Sequence, residues 1–524
     1  MLVRDIARLN ADAASRRIVV IGAGAVGLYT AVELSRRGRD VLVIESGSAQ
    51  LGGFSTDSFA SVGRKHEGIH RSRSRSLGGT TNLWGGQLVE FMPIDFAGRE
   101  WLPGSAWPVT YDEIAPFYRP TYLNLGLDEQ IVDDAAVWRS ISARPPPLND
   151  EVECFLTRWL RVPGFAKLYA KRIESDPHLT VLAEHTAVGF RGLGGRITGV
   201  RVVDAAAGRH WIEGATFILA AGTIENARLL LHAAADDSWA CPWGSNAHVG
   251  TRFMDHLGGR LADIHPMDKK KFFKTFCTIV RSGNKFQPKV RLRDAVLGRE
   301  RQLNIQGLLA FESSASEHLV YLKQFLRASV NSRRITSVRD AARAVGGARY
   351  LLPLMWRYAW DHRVFVPSTS RIQLWMQSEQ VPLPESRITI DPTHRDAFGL
   401  PRVVLDWRIG EAELPSMREF ALRIDRALRA GGHATLEIDP LLLSADPRFL
   451  DTLHDTSHHA GGAIMGRSAA EGVVDRDLRV FETENLYVGG ASVFRTIGNA
   501  NVTLTALALA TRLVYLLAGE HPTR

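Results

Sequence analysis

Six residues near the N-terminus, Gly22-Ala23-Gly24-Ala25-Val26-Gly27, constrain this chain more than any other stretch. They follow an apolar run, Arg17-Ile18-Val19-Val20-Ile21, and open a helical stretch from Ala25 to Arg37. A second apolar run, Asp40-Val41-Leu42-Val43-Ile44, then ends on Glu45. Strand, glycine turn, helix and a second strand closing on an acidic residue about 20 residues downstream make the βαβ unit that holds a dinucleotide. Each residue type answers a physical need. Gly22 permits the tight turn, Gly24 lets a pyrophosphate approach the backbone, and Gly27 lets helix and strand pack closely. The helix N-terminus attracts the phosphates. Glu45 can accept hydrogen bonds from a ribose, and an acidic residue there rather than an arginine argues against a 2′-phosphate.

The chain has 524 residues, 45% of them hydrophobic, enough for about two to three domains with a substantial core. Lys plus Arg number 64 against 56 for Asp plus Glu, but the basic residues are dispersed. The charge therefore favours anionic partners only weakly, and no nucleic acid is expected. Cys154, Cys241 and Cys277 are odd in number and form no CxxC pair, which indicates neither a disulfide framework nor a cysteine zinc site and points to a reducing compartment. Met1 to Arg16 carries Arg4, Asp5, Arg8, Asp12 and Arg16 and lacks the apolar core of a secretory signal, so a cytoplasmic location is expected. The most apolar stretch, Val502 to Ala518, is interrupted by Arg512 and by threonines; it is expected as a buried helix and not as a membrane span.

Two further glycine segments suit a nucleotide site. Leu77-Gly78-Gly79-Thr80-Thr81-Asn82-Leu83-Trp84-Gly85-Gly86 allows a backbone to lie close against a flat ring, with hydroxyls and an amide to bond its edge. Just before it, Arg71 to Ser76 alternates arginine and serine, as an anion-facing loop would. Ala215-Thr216-Phe217-Ile218-Leu219-Ala220-Ala221-Gly222-Thr223 is expected as a buried strand breaking at Gly222 into a helix. Near the C-terminus, His458-His459-Ala460-Gly461-Gly462-Ala463-Ile464-Met465-Gly466 and Asn499-Ala500-Asn501-Val502-Thr503 supply an imidazole that can take a proton and amides that can hold an oxygen. The spacing of four from His454 to His458 would bring imidazoles together on a helical face, but without a HExxH arrangement or a cysteine pair no metal is expected.

In this order along the chain, these landmarks resemble the glucose-methanol-choline (GMC) oxidoreductase family, FAD-dependent enzymes that oxidise alcohol groups. Val249-Gly250-Thr251-Arg252-Phe253-Met254-Asp255-His256, Pro384-Glu385-Ser386-Arg387-Ile388 and Leu486-Tyr487-Val488 carry the same resemblance. Within the family, the Leu77 to Gln87 loop and the His-x-x-Gly-Gly-x-Ile-Met-Gly form are most similar to the sugar and polyol branch, with gluconate-, sorbose- and fructose-type dehydrogenases and pyranose oxidases.

The resemblance implies an α/β fold in which a Rossmann-like FAD-binding domain (17–124, 164–258 and 447–519) interleaves with an α+β substrate domain (259–446) built on an antiparallel sheet. Strands are expected at Lys289 to Leu292, Asn304 to Phe311 and Arg371 to Met376. A helical insertion at about 317–360, rich in arginine, is expected as a solvated face, with anion or membrane binding as the alternative. FAD would be held by Gly22, Gly24, Gly27, Glu45, Arg75, Gly79, Thr80, Thr81, Asn82, Leu83, Ala187, Gly222, Gly490, Ala491, Asn501, Val502 and Thr503.

In the family the catalytic histidine stands seven residues before the methionine of the Met-Gly pair, which selects His458 over His459. Its partner opens the last helix in an Asn-Pro-x-x-Thr pattern, matched by Asn501 with Val502 in place of proline; Asn499 is the rival. The implied chemistry is proton abstraction from a hydroxyl, expected on a secondary carbon, with hydride passing to flavin N5. Leu83 stands where pyranose oxidases carry the histidine that bonds covalently to flavin, so the FAD is expected to be non-covalent. The substrate would be a sugar, glycoside or polyol and the acceptor oxygen, a quinone or another oxidant. A lyase of the hydroxynitrile type and a non-catalytic flavoprotein partner are the alternatives on the same fold; simple NAD chemistry would leave the later flavin-facing segments unexplained.

Overall fold

The structure, a computed structural model, describes residues 1–9, 17–48, 58–128, 132–236, 239–312, 356–357 and 360–520. The arginine-rich insertion expected at about 317–360 lies, but for residues 356, 357 and 360, outside the described residues.

Short apolar runs without polar alternation suit strands covered on both faces. Ile18–Ile21 and Val41–Ile44 are such runs, and they form the middle of a six-stranded parallel sheet in the order Leu2–Val3, Leu179–Leu182, Val41–Ile44, Ile18–Ile21, Thr216–Leu219, Leu486–Val488. The strand order reverses beside Ile18–Ile21, and in open α/β sheets ligands bind at such a point, outside the carboxyl ends of the strands. Helix Ala25–Ser35 leaves the first glycine turn and packs against the last helix, Val502–Ala518, with Tyr29 OH 2.7 Å from Thr511 Oγ1 between them. That last helix is buried over most of its length, and among the described residues no helix is long and apolar enough to cross a membrane.

The second layer is antiparallel. Nine strands form a sheet whose main path runs Ala434–Ile438, Leu257–Pro266, Arg371–Ser378, Ile305–Glu312, Asn284–Leu292, Val152–Trp159, Gln87–Leu88. The three strands expected from the sequence are neighbours within it. Helix Glu413–Ala430 covers one face with Met417, Phe420 and Ile424. The hairpin Arg387–Arg395/Pro401–Trp407 pairs in parallel with Phe59–Gly63, a contact across more than three hundred residues of sequence. A three-stranded antiparallel unit, His185–Leu193, Arg196–Asp204 and Arg209–Glu213, extends the first layer.

The helical face considered for His454, His458 and His459 does not form. His454–Asp455 is a short strand paired with Leu257–Gly258, and the following residues are irregular, tied back by the Met254–Ala460 bridge. His454 is exposed, well apart in environment from His458 and His459.

Candidate active site

A cavity of about 670 Å³ opens at the carboxyl ends of the parallel strands. At one end it is lined by Gly22, Gly24, Glu45 and Ala187, and at the other by Thr80, Leu83, His458 and Thr503. The glycines of its wall separate into two kinds. A Cβ on Gly22 would lie 2.6 Å from Ala220 O, and one on Gly27 would lie 1.9 Å from Gly22 O, so these two close the turn itself. A Cβ on Gly24 or Gly222 would meet nothing within 4 Å, so their missing side chains leave cavity space open to a ligand. That clearance, at the N-termini of helices Ala25–Ser35 and Thr223–Ala234, fits a pyrophosphate and its sugars.

Glu45 is buried at the base of this end. Its two oxygens accept from Ala23 N at 2.8 Å and Gly47 N at 2.7 Å; burial raises its pKa, against those hydrogen bonds. Arg75 also lines the cavity, bonded to Thr186 and lying over the Phe398 ring at 4.0 Å. Gly79, Thr81, Gly490, Ala491 and Val502 line it as well. Asn82, Gly27 and Asn501 do not. The Asn82 amide donates to Ser76 Oγ at 3.1 Å and Leu77 O at 2.9 Å, holding the glycine loop in shape, while Thr81 Oγ1 accepts from Phe165 N at 3.0 Å.

At the far end His458 and Asn501 come together, with Asn501 Nδ2 3.0 Å from His458 Nε2. Asn501 is the N-cap of the last helix, and its Oδ1 is buried without a hydrogen-bond partner. Asn499 points elsewhere: its amide donates to Asn304 Oδ1 at 2.7 Å. The other nitrogen of His458, Nδ1, lies 2.8 Å from Thr456 Oγ1 and 3.1 Å from His256 Nδ1. The network assigns the protons. His256 Nε2 faces the carbonyl oxygens of Gly498 at 3.0 Å and Ile497 at 3.3 Å, so it carries the hydrogen and leaves Nδ1 as an acceptor. His458 then donates from Nδ1, and its Nε2 keeps the lone pair. Burial, and next the neighbouring His256, push the His458 pKa down to about 3, so the ring is neutral at physiological pH.

Asp255 holds this segment in place, a role the sequence did not reveal. It is fully buried, and its Oδ1 accepts from His458 N at 2.9 Å and from Thr456 N and Oγ1 at 3.3 Å, while Oδ2 accepts from His66 Nε2 at 3.1 Å. Burial opposes its charge most, but the His66 hydrogen bond together with the attraction of His66, His459 and His458 keeps the carboxyl well below the usual range. His459 Nε2 stands 3.7 Å from the same carboxylate and has no hydrogen-bond partner; burial pushes its pKa down to about 3. Ser457, between Thr456 and His458, sits at φ 66°, and Thr223 Oγ1 donates to His459 O at 2.7 Å. The only sequence signal for these supports was the Asp255-His256 pair; nothing local marked His66 or Thr456.

Residues 382–510 match the family model described as GMC oxidoreductase, and residues 17–238 match that of FAD dependent oxidoreductase. The chain is 21% identical to the fructose dehydrogenase large subunit of Gluconobacter japonicus over 96% of this chain and 98% of that one. It is 23% identical to the 2-methyl-1,2-propanediol dehydrogenase of Mycolicibacterium austroafricanum, over 86% of this chain and 81% of the relative. Among solved structures, pyridoxine 4-oxidase from Mesorbium loti shares the fold, with a TM-score of 0.59 at 16% identity over 96% of this chain and 99% of that one.

Proposed function

Because the chain belongs to the GMC oxidoreductase family, we propose that it oxidises a hydroxyl on a secondary carbon of a sugar, glycoside or polyol to the carbonyl, using FAD bound non-covalently. The observation that carries this reading is the His458–Asn501 pair, with His458 on the cavity wall and its unprotonated Nε2 turned toward the Asn501 amide behind it. FAD, when bound, supplies the two-electron acceptor that takes hydride from the carbinol carbon.

The chain's own residues do the rest. A hydroxyl entering between His458 and Asn501 replaces their direct bond, giving its proton to His458 Nε2 while its oxygen accepts from Asn501 Nδ2. His458 is prepared for this by Thr456 and His256, which occupy its other nitrogen. Val502 and Thr503 bring the first turn of the last helix to the same wall, where unpaired backbone N–H groups favour negative charge. Leu83, at the cavity wall and offering no nucleophile, supports non-covalent attachment. The names of the relatives, a fructose dehydrogenase and a diol dehydrogenase, agree with a hydroxylated substrate. A cytoplasmic location is part of the same reading, supported by Cys154, Cys241 and Cys277 standing free.

The test is anaerobic. FAD-loaded enzyme is mixed with sugars, glycosides and polyols, bleaching of the flavin is followed, and oxygen or a quinone is then admitted to identify the acceptor. His458→Ala should keep its FAD and bleach about 10²- to 10⁴-fold more slowly. Unimpaired reduction in that variant refutes the assignment. Turnover without any bleaching would make the flavin a spectator, as in the lyase alternative.

A further inference from the structure

Resting on the reading of His458 and Asn501 as the oxidising pair, we propose that the substrate is an acidic sugar, an aldonate or uronate, whose carboxylate is held by Lys289 and Gln306 in the antiparallel sheet beside the catalytic end.

Lys289 occupies the middle of Asn284–Leu292, where alternation divides the strand between two faces. Val290 and Leu292 point into the core with Phe420 of the covering helix. Gln287, Lys289 and Arg291 take the opposite face. Directly paired residues share a face, so Gln306, opposite Arg291, and Gln377, opposite Gln306, stand on it too. This face looks at the catalytic end: Gln377 Nε2 donates to Asn499 O at 2.8 Å, two residues before Asn501. The Lys289 charge also reaches His458, where it contributes to lowering the imidazole's pKa.

The lysine is 4% exposed and, among the described residues, has no carboxylate partner. Its Nζ donates to Gln306 Oε1 at 3.2 Å and to Gln87 Oε1 at 3.4 Å, both neutral amide oxygens. An ammonium buried against amides alone is costly, and such groups stand at functional sites more often than elsewhere. Beside it Gln306, 1% exposed, has an Nε2 with no hydrogen-bond partner among the described residues. Two adjacent donors thus lack an anion. A carboxylate can accept from both, and the charge-assisted bond to the ammonium is the stronger of the two. Neutral hydroxyls could accept the same hydrogen bonds but would leave the charge uncompensated.

Among the described residues the surroundings supply no competing anion. On the same face Arg291 is paired with Glu153 at 2.7 Å, and Lys285 is exposed. From the flavin-binding loop the facing group is Gln87, and the Glu90 carboxyl beyond it is engaged with Arg158 and Tyr122. From the catalytic side it faces neutral His458. Burial alone lowers the Lys289 pKa, to about 7. An anion that binds the ammonium should therefore bind less well as pH rises through that value.

The experiment uses the FAD-loaded enzyme and two matched pairs: D-gluconate with sorbitol, and methyl D-glucuronide with methyl D-glucoside. Anaerobic bleaching should half-saturate at a concentration about tenfold or more lower for the acid of at least one pair. In Lys289→Met that advantage should collapse to about one, through half-saturation far more than through the limiting rate, and Lys289→Arg should restore part of it. Raising the pH from about 6 to about 8.5 should weaken the acid in the unsubstituted enzyme but not in Lys289→Met. Flavin content and melting temperature of each variant check its folding. An acid preference that persists in Lys289→Met, or neutral members that perform as well as the acids, overturns the proposal. Should nothing bleach, the oxidation reading fails for these compounds, and titrating the oxidised flavin spectrum with the two acids decides this proposal separately. Acid binding that is lost in Lys289→Met sustains it, and no binding overturns it.

Discussion

The proposed role of His458 as base depends on how its second nitrogen is occupied. Thr456 and His256 bond Nδ1, and the backbone oxygens of Gly498 and Ile497 fix which tautomer His256 adopts. Proton position at the reacting nitrogen is thus set two side chains away. The depressed pKa has a definite sign: a base held near 3 stays unprotonated well below the ordinary imidazole value, so flavin reduction should remain level from about pH 8 down to well under 6.5. His256→Leu removes one cause of the depression. Its expected result is an acid limb moved to higher pH and a limiting rate about tenfold lower, measured by stopped-flow reduction across pH. A purely structural role for His256 would lower yield or flavin content and leave the acid limb where it was. Counting back from Met465, as the resemblance implies, put His458 forward as the proposed base, but it did not reveal the residues around it. His66 and Asp255 lie 189 residues apart in sequence and meet only in the folded chain.

At the scale of elements, the legible parts were those written in consecutive residues. The strand Ile18–Ile21, its glycine turn and the helix from Ala25 appear where the sequence puts them, as does the strand–Gly222–helix unit. Gln87–Leu88 and Val152–Trp159 were not anticipated as parts of the large antiparallel sheet, because an isolated strand does not name its partner. The His454 to Gly466 segment shows the same limit: the spacing of four left a helical face open as an alternative, but Asp255 and the Met254–Ala460 bridge hold the segment in an irregular course. The first turn offers a test in which two glycines of one motif behave differently. Gly24→Ala adds a methyl into open cavity, so the apo-protein should melt within a degree or two of the unsubstituted one while FAD affinity falls about tenfold or more. Gly27→Ala sets a Cβ against Gly22 O and should destabilise even the apo-protein, by about 1–3 kcal/mol. Equal melting losses in both variants would mean that Gly24 serves packing and not ligand clearance.

At the scale of the whole molecule, the cavity gathers segments that are remote in sequence. The parallel sheet and its helices form one hydrophobic core, the antiparallel sheet with helix Glu413–Ala430 forms another, and the cavity wall draws on segments scattered from Ile21 to Ala506. A ligand spanning that wall ties together chain segments that are remote in sequence, so it should stabilise the fold as a unit. Because FAD would bind the native state and not the unfolded chain, free FAD at about 100 times its dissociation constant should add about 2.7 kcal/mol to unfolding. The corresponding measurement is the melting temperature of the stripped and reloaded protein against FAD concentration, which should rise without saturating at one equivalent. The mode of attachment follows from the same sample. With Leu83 at the wall where a covalent link would form, acid precipitation should release all the yellow colour into the supernatant. Flavin that stays on the polypeptide would overturn non-covalent binding, and it would also remove the concentration dependence of melting, since a tethered ligand is no longer exchanged by mass action.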